Sequence, residues 1–302
     1  MRQFDFLGKA KYFVPVSLVA VLTSIILMIP QVRGLTPGLD FTGGTEFTVK
    51  FSQPVETSAV RNALSTIRVA GADLSKSQIQ DLPGRNTKVI TTQLDVEADQ
   101  AAVDKIEQTL KAQFPVEDKG VSRRSLGKQV SREIVQKAWQ AILLAIIVVL
   151  IYMAWRFRLR YAVGAVAAVV HDVTIALGIF ALLRIEIDLT SIAALLTVLG
   201  YSLNDTIVIF DRVRENVGLD RKATMHDLIN RSINQSLSRT LTTATAAALP
   251  LLVLLILGGP VLRGFSVALL VGVTVGTYST FYVANPILYW WSLKAGQAKK
   301  TR

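Results

Sequence analysis

The chain contains no cysteine and only two histidines, His171 and His226. Without thiols there is no disulfide scaffold, no thiol nucleophile and no Cys-ligated metal, and the absence does not speak to compartment. Two histidines without cysteine also argue against a metal centre. Charged residues are scarce, 18% of 302 positions against 51% hydrophobic. No phosphate-binding loop is present: Gly8-Lys9-Ala10 and Gly127-Lys128-Gln129 lack both the upstream glycine and the Ser/Thr that cradle and complete such a loop. A basic stripe interleaved with aromatics is missing too, so a net charge of +11 does not by itself mark a nucleic-acid surface. The sequence calls for no cofactor, no metal, no nucleic acid and no enzymatic activity.

What is present is a set of long apolar runs, at 13–29, 138–155, 161–183, 189–210, 240–257 and 264–293. A membrane helix needs about 20 apolar residues, so these predict six transmembrane spans. A cleaved signal peptide is the alternative for the first run. The residues after it, Pro30-Gln31-Val32-Arg33-Gly34, lack a small-x-small cleavage pattern, so it reads as an uncleaved anchor. The last run is too long for a straight span, which predicts tilt or extension past one face.

The expected organisation is a cytoplasmic N-terminus at 1–12, a first span at 13–30, an extracytoplasmic domain at 31–133, a five-helix membrane domain at 134–293 and a cytoplasmic tail at 294–302. The later spans are placed near 136–155, 161–183, 189–210, 238–257 and 264–291. Charge supports this orientation. The N-terminus carries +2, residues 156–160 carry +3, residues 211–239 carry +2 from six Arg/Lys, and the tail from Lys294 carries +4, whereas the links 184–188 and 258–263 hold one Arg each. Arg/Lys bias on short loops marks the cytoplasmic side, so both termini are expected there, in a multi-pass membrane protein. Segment 31–133, with 14 basic and 13 acidic residues, is then exported. The pI near 9.9 is thereby a topology signal.

The external segment has the length of one small domain. Residues 45–51 alternate like a strand, 57–67 place Val60, Ala63, Leu64 and Ile67 on one helical face, and 77–82 and 87–94 read as strands separated by a Pro83-Gly84 turn. A helical period returns over 96–114 through Val103, Ile106 and Leu110, and 116–121 closes as a strand. The order βαββαβ predicts a ferredoxin-like α+β fold. Gly43-Gly44, just before the first strand, reads as a tight turn rather than a phosphate loop.

Chemistry is expected where ionisable groups lie inside the membrane, since they are costly there. Asp172, after His171, falls halfway along the third span. Asp205, after Asn204, falls five residues before the cytoplasmic end of the fourth, about 7–8 Å deep at 1.5 Å per residue. Arg239 enters the fifth span on the same side and meets Asp205 if those helices are neighbours. Gly164, Ala168, Asp172 and Ala176 are spaced by four, as are Ala268, Gly272, Gly276, Thr280 and Ala284, and such small-residue stripes mark close helix contact. Each group also has a plain reading. The carboxylates serve structure as neutralised pairs or protonated hydrogen-bonding groups, with His171 as a local partner of Asp172. Arg239 snorkels to the interface. His226 is a solvated loop side chain.

Seven stretches together resemble one family. They are Gly38-Leu39-Asp40-Phe41-Thr42-Gly43-Gly44-Thr45, His171-Asp172-Val173, Ile185-Glu186-Ile187-Asp188-Leu189, Gly200-Tyr201-Ser202-Leu203-Asn204-Asp205-Thr206, Asp211-Arg212-Val213-Arg214-Glu215-Asn216, Arg239-Thr240-Leu241, and Gly258-Gly259-Pro260-Val261-Leu262-Arg263-Gly264-Phe265. They are similar to the SecF side of the SecD/SecF family of the bacterial Sec export machinery, related in architecture to resistance-nodulation-division transporters. The resemblance runs from near residue 1 to about 285. It implies a subunit that pairs with SecD and uses the proton-motive force to help the SecYEG translocon draw preproteins out of the membrane, with YajC as a further candidate partner. It also implies proton transfer through Asp205 and Arg239 and a further carboxylate from SecD in the bacterial inner membrane, and to these the reading of the spans adds Asp172, Asn204 and His171 as candidate relay groups. Half of a small-molecule efflux pump, or a non-transporting scaffold of the channel, are the alternatives.

Overall fold

The computed structural model describes residues 4–67, 74, 77–82, 86–92, 94, 96–157 and 159–294. In chain order the elements begin α1 (Phe6–Met28), the two-residue β1 (Thr36–Pro37), α2 (Leu39–Thr42), β2 (Gly44–Phe51), α3 (Thr57–Ser65), β3 (Gln78–Leu82), β4 (Thr87–Thr92), α4 (Val96–Gln113) and β5 (Val116–Leu126). They continue with α5 (Lys128–Arg156), α6 (Leu159–Leu183), the two-residue β6 (Glu186–Ile187), α7 (Leu189–Leu219), α8 (Met225–Leu257), α9 (Gly259–Ser279), a π-helical turn (Thr280–Ala284) and α10 (Asn285–Lys294). Two compact units result, Pro37–Gln140 and the remainder.

In the first unit, β2 to β5 form a four-stranded sheet in the order β3-β4-β2-β5, every neighbour antiparallel. This is the strand order of a split βαβ fold, as the βαββαβ pattern predicts. Phe47, Val49 and Phe51 alternate inward from β2, and Val60 and Leu64 of α3 and Val103, Ile106 and Leu110 of α4 cover them, all essentially without exposed surface. Sequence reading ends the last strand at 121, but β5 runs on to Leu126, paired with β2 as far as Gly44. Its second half, Ser122-Arg123-Arg124-Ser125, looks like a loop because β5 is an edge strand, where charged side chains protect the free edge. The Pro83-Gly84 turn lies outside the described residues. Gly43 and Gly44 both have positive φ, 65° and 118°, which reverses the chain between α2 and β2 at no steric cost.

The second unit is helical. Six helices are long and apolar enough to cross a membrane: Phe6–Met28, Lys128–Met153, Leu159–Leu183, Leu189–Leu219, Met225–Leu257 and Leu262–Lys294. Several run past the apolar stretches that locate them. Hydropathy marks where lipid contact ends, whereas the helix continues as long as its polar turns find partners. The clearest case is 211–239, expected as a loop, which is helix on both sides of a turn at 220–224. The two arms are held together by Asn216 Nδ2 donating to Ser232 Oγ (2.7 Å) and Gln235 Oε1 (2.9 Å), by Arg212 Nε donating to Gln235 Oε1 (2.8 Å), and by buried Val213, Leu228, Ile229 and Ile233. Thr224 caps α8, accepting from the Asp227 amide. Asp220 caps the turn, accepting from the Lys222 and Ala223 amides, and these bonds hold its pKa below the usual carboxylate value.

His226, expected to be solvated on that loop, instead sits in the first turn of α8. Its ring meets Tyr289 edge-on at 5.7 Å and its Nε2 lies 3.6 Å from Asp5. Asp5 caps α1 through the Gly8 amide (2.8 Å), and that bond is the main cause of its lowered pKa. Asn230 and Asn234, one turn apart on α8, clamp the start of α1. The Phe6 and Leu7 amides donate to Asn230 Oδ1 (3.0 Å each) and the Phe4 amide to Asn234 Oδ1 (2.9 Å), while Asn234 Nδ2 returns a bond to the Phe4 carbonyl (2.8 Å).

Replacing Asn230 and Asn234 together by Ala removes these bonds, each worth about 1 kcal/mol. Amide hydrogen exchange at Phe4, Phe6 and Leu7 should accelerate at least roughly tenfold, with exchange in the β2–β5 sheet unaltered.

Candidate functional site

The membrane unit has two apolar clusters. One joins Phe180, Ile185, Ala194, Val198, Val267, Ala268 and Leu269. The other gathers Phe157, Tyr161, Ala165, Ala168, Leu203, Phe210, Phe281, Ala284 and their neighbours. Where these clusters meet, and into the second of them, α6, α7 and the helix that runs from α9 through the π turn to α10 carry buried polar residues: His171, Asp172, Ser202, Asp205, Thr206, Ser279, Thr280 and Asn285. Polar side chains at the same level of three packed helices in a membrane bundle need one another, because lipid supplies no hydrogen bonds.

Small residues bring the helices together at this level. Gly272 of α9 lies directly against Val198 of α7, and Gly276 has Ser202 beside it, with the position a Cβ would take 3.1 Å from that of Ser202. Gly164 of α6 faces the Ala284 carbonyl, 2.8 Å from the corresponding position, and Ala168 is fully buried one turn further along.

Asp172 has no exposed surface. Its Oδ2 accepts from Ser202 Oγ of α7 (2.6 Å) and Ser279 Oγ of α9 (2.8 Å), and its Oδ1 faces His171 Nδ1 (2.8 Å). The His171 ring stacks on Tyr278 at 6.2 Å, and the Tyr278 hydroxyl reaches Ser17 Oγ and the Phe13 carbonyl of α1, both at 2.8 Å. A second tie lies one turn along α7, where Thr206 and Thr280 hydroxyls meet at 3.0 Å. Thr280 opens the π turn, and Asn285 Nδ2 donates to the Thr280 carbonyl at 2.6 Å, taking up an acceptor that the wider turn frees.

Asp205 is arranged differently. It is buried, 3% exposed, yet its Oδ2 has no hydrogen-bond partner among the described residues. The Tyr201 hydroxyl, one turn before it, and Thr240 Oγ1 on α8 are likewise buried without partners. The antiparallel register that sets Asn216 beside Ser232 and Arg212 beside Gln235 puts Asp205, two turns up α7, level with residues 239–243 of α8. Arg239 is near enough for its charge to act on Asp205, but no ion pair joins them and its side chain is exposed. Asn204 is also exposed, on a different face of α7 from Asp205. Of the five candidate polar residues, then, the structure brings His171 and Asp172 into contact and sets Arg239 near Asp205, while Asn204 points away from both.

Sequence reading did not select Ser279, Thr206 or Asn285, and it counted Thr280 only as a packing residue. Their signal was the interruption of an apolar helix by hydroxyls at the level of a buried carboxylate. No group of three or more His, Cys, Asp or Glu able to hold a metal occurs among the described residues.

Residues 105–294 match the family described as protein export membrane protein SecD/SecF, C-terminal, and residues 32–55 match the SecD/SecF GG motif, the segment that contains the Gly43-Gly44 turn. The chain belongs to the SecD/SecF family. It is 36% identical to the protein translocase subunit SecF of Petrotoga mobilis over 95% of this chain and 96% of that protein, and 39% identical to the SecF of Calditerrivibrio nitroreducens over 94% and 93%. It is 36% identical to the longer translocase subunit SecDF of Thermus thermophilus over 99% of this chain but only 40% of that one. A crystal structure of the Thermus SecDF, described as a translocon-associated membrane protein, superposes with a TM-score of 0.86 at 34% identity, covering 97% of this chain and 39% of the other. A SecDF crystal structure in a super-membrane-facing form gives 0.68 at 34% identity. The six apolar helices and mixed α/β domain found here match the superposed part of the Thermus structure. The family transports protein and is not a family of enzymes.

The contact of Gly272 with Val198 sets the spacing of α7 and α9. Gly272→Val should overpack it by about 1–3 kcal/mol and lower the melting temperature of the detergent-solubilised chain, and Val198→Ala in the same chain should restore much of the loss.

Proposed function

We propose that the chain is the SecF-type half of a proton-driven export complex, with a SecD-type subunit as its other half and the SecYEG channel and a translocating preprotein as its working partners. The single observation that carries the ion-coupled part is Asp205: a buried carboxylate with an unpartnered oxygen, close to an arginine that makes no ion pair with it. A carboxylate tied into permanent bonds has nothing to gain from a proton, whereas an unpartnered one changes its interactions whenever its charge changes.

Protonation of Asp205 removes a negative charge from the α7–α8 face and frees Arg239 from its attraction. Deprotonation restores it. A membrane potential contributes about 2.3 kcal/mol per charge per 100 mV, which shifts a two-state equilibrium roughly fiftyfold. Movement of α7 against its neighbours over small-residue faces is the step that would carry this to the external domain, on the extracytoplasmic side in an inner-membrane topology with both termini cytoplasmic. The exposed Arg239 beside Asp205 supports the view that this face meets another subunit, since a charged side chain exposed to lipid is disfavoured. The match to two-fifths of a longer SecDF chain supports the same division into halves.

Asp205→Asn in the reconstituted complex should reduce proton uptake and proton-dependent export to background while the complex with its SecD-type partner still forms. Arg239→Ala should do the same, again with the complex still formed. Normal export by Asp205→Asn would remove the relay role, and loss of assembly without any change in flux per assembled complex would make the residue structural.

A further inference from the structure

The two intramembrane carboxylates differ in a way that divides their work. Every oxygen of Asp172 is engaged, by donors from α7 (Ser202), α9 (Ser279) and its own helix (His171). Three hydrogen bonds in a site without exposed surface fix a side chain and also fix the helices that donate them. Ser202 lies three residues before Asp205, on neighbouring positions of the same helical face. Thr206, the residue after Asp205, is tied to Thr280, which adjoins Ser279. The stretch of α7 that carries Asp205 is therefore pinned to α6 and α9 on both sides of it, and Gly276 leaves room for Ser202 to approach.

We propose that Asp172 is a positioning residue for Asp205: as the shared acceptor of Ser202 and Ser279 it sets the rotation of α7 about its axis, and so the face on which Asp205 is presented, without itself carrying a proton. The proposal deepens the proton-coupled reading of Asp205 and rests on it for its functional consequence. Helix rotation matters because neighbouring positions on a helix differ by about 100°, so a turn of α7 through part of that angle moves Asp205 toward the exposed place that Asn204 holds. The unpartnered Nε2 of His171 belongs to the same arrangement. In the tautomer that carries its proton on Nδ1, His171 donates to Asp172 and helps to hold the carboxyl in place. The groups that face the cluster are His171 and Asp172 of α6, Ser202 and, a turn away, Asp205 of α7, and Ser279 and Tyr278 of α9. From α1 it receives only Ser17 and the Phe13 carbonyl, through Tyr278.

Positioning and proton carriage predict opposite results for one conservative variant. Asp172→Asn keeps an oxygen for both serines. Asp172→Ala removes the side-chain partner of Ser202 and His171 and leaves Ser279 only the Gly276 carbonyl at 3.1 Å, and Ser202→Ala with Ser279→Ala removes the serine ties while leaving the carboxylate. The absence of cysteine in the chain permits direct measurement. Spin labels at Thr197 of α7 and Thr274 of α9, both exposed, report the α7–α9 relation in the complex with its SecD-type partner.

The expected result is one narrow distance distribution in the parent and in Asp172→Asn, and a broadened or displaced one in Asp172→Ala and in the double serine variant. In proton uptake by proteoliposomes, Asp172→Asn should retain activity within roughly fivefold of the parent, whereas the other two should lose at least tenfold, as expected for losing hydrogen bonds to a charged group, with a displaced pH profile. Unchanged spin-label distances in both disruptive variants would overturn the positioning role whatever the flux shows. Uptake at background in Asp172→Asn, with its distances intact, would overturn it also and make Asp172 a proton carrier. Absence of proton uptake by the parent itself would count against the reading of Asp205, and the distances would still decide the reading of Asp172.

Discussion

A carboxylate with no exposed surface, held by donors from three segments of a membrane bundle, is the constraint on which the membrane unit depends. Apolar contacts alone do not select one arrangement of helices in lipid, because lipid chains are as apolar as leucine or valine. Small residues permit close approach but allow many registers along the same stripe. Ser202 and Ser279 reaching Asp172 at 2.6 and 2.8 Å select one of them, since a shift of α7 or α9 by a turn would leave the anion buried among apolar atoms. The apolar clusters on either side exclude competing donors and so make the selection sharper. Stability and specificity thus come from different residues in this bundle, with glycines and alanines setting distance and one acid setting register.

The same residue type has the opposite environment one turn away. Asp205 is buried at 3% exposure but has an oxygen without a partner, and its nearest cation keeps an exposed side chain. Burial without satisfaction is unfavourable for a fixed charge, and it is the condition under which gain or loss of a proton changes the energy of a packing arrangement most. A rigid neighbour is needed for such a change to act in a defined direction. Asp172 and the Thr206–Thr280 pair supply that rigidity on the α6–α9 side of α7, leaving the α8 side free to respond.

Much of this was legible in the sequence, for physical reasons that also explain what was not. The six spans follow from the length of the apolar runs, and the external fold from its change of period between strands and helices. Hydropathy could not show that α7 and α8 continue through 211–239, because their stability there comes from Asn216, Ser232 and Gln235 bonding across a turn. A strand of serines and arginines was likewise hidden at 122–125, where an edge position tolerates polar residues on both faces. Depth along a helix singled out Asp172 halfway along its span and put Asp205 and Arg239 toward the same end of theirs, and in the structure Arg239 lies near Asp205. Adjacency along the chain misled for Asn204, which is next to Asp205 in sequence and about 100° away around the helix. Ser279 and Asn285 escaped notice, and Thr280 was counted only for packing, because isolated small polar residues in an apolar helix look like packing residues until a carboxylate is placed opposite them.

The π turn at Thr280–Ala284 shows how the bundle reconciles these demands. A regular α-helix through 262–294 would present its side chains at a constant angular step. Widening one turn inserts a residue's worth of rotation between Ser279 and the segment that follows. The first part of the helix can then aim Gly272, Gly276 and Ser279 at α7 and Asp172, while the second aims Phe281, Ala284 and Leu288 into the other apolar cluster. The cost of the wider turn is an unsatisfied backbone acceptor, and Asn285 Nδ2 meets it at Thr280. Because Thr280 also bonds Thr206, the irregular turn is fastened to α7 directly beside Asp205, so motion of that carboxylate's helix acts on a place where the helical ladder is already interrupted.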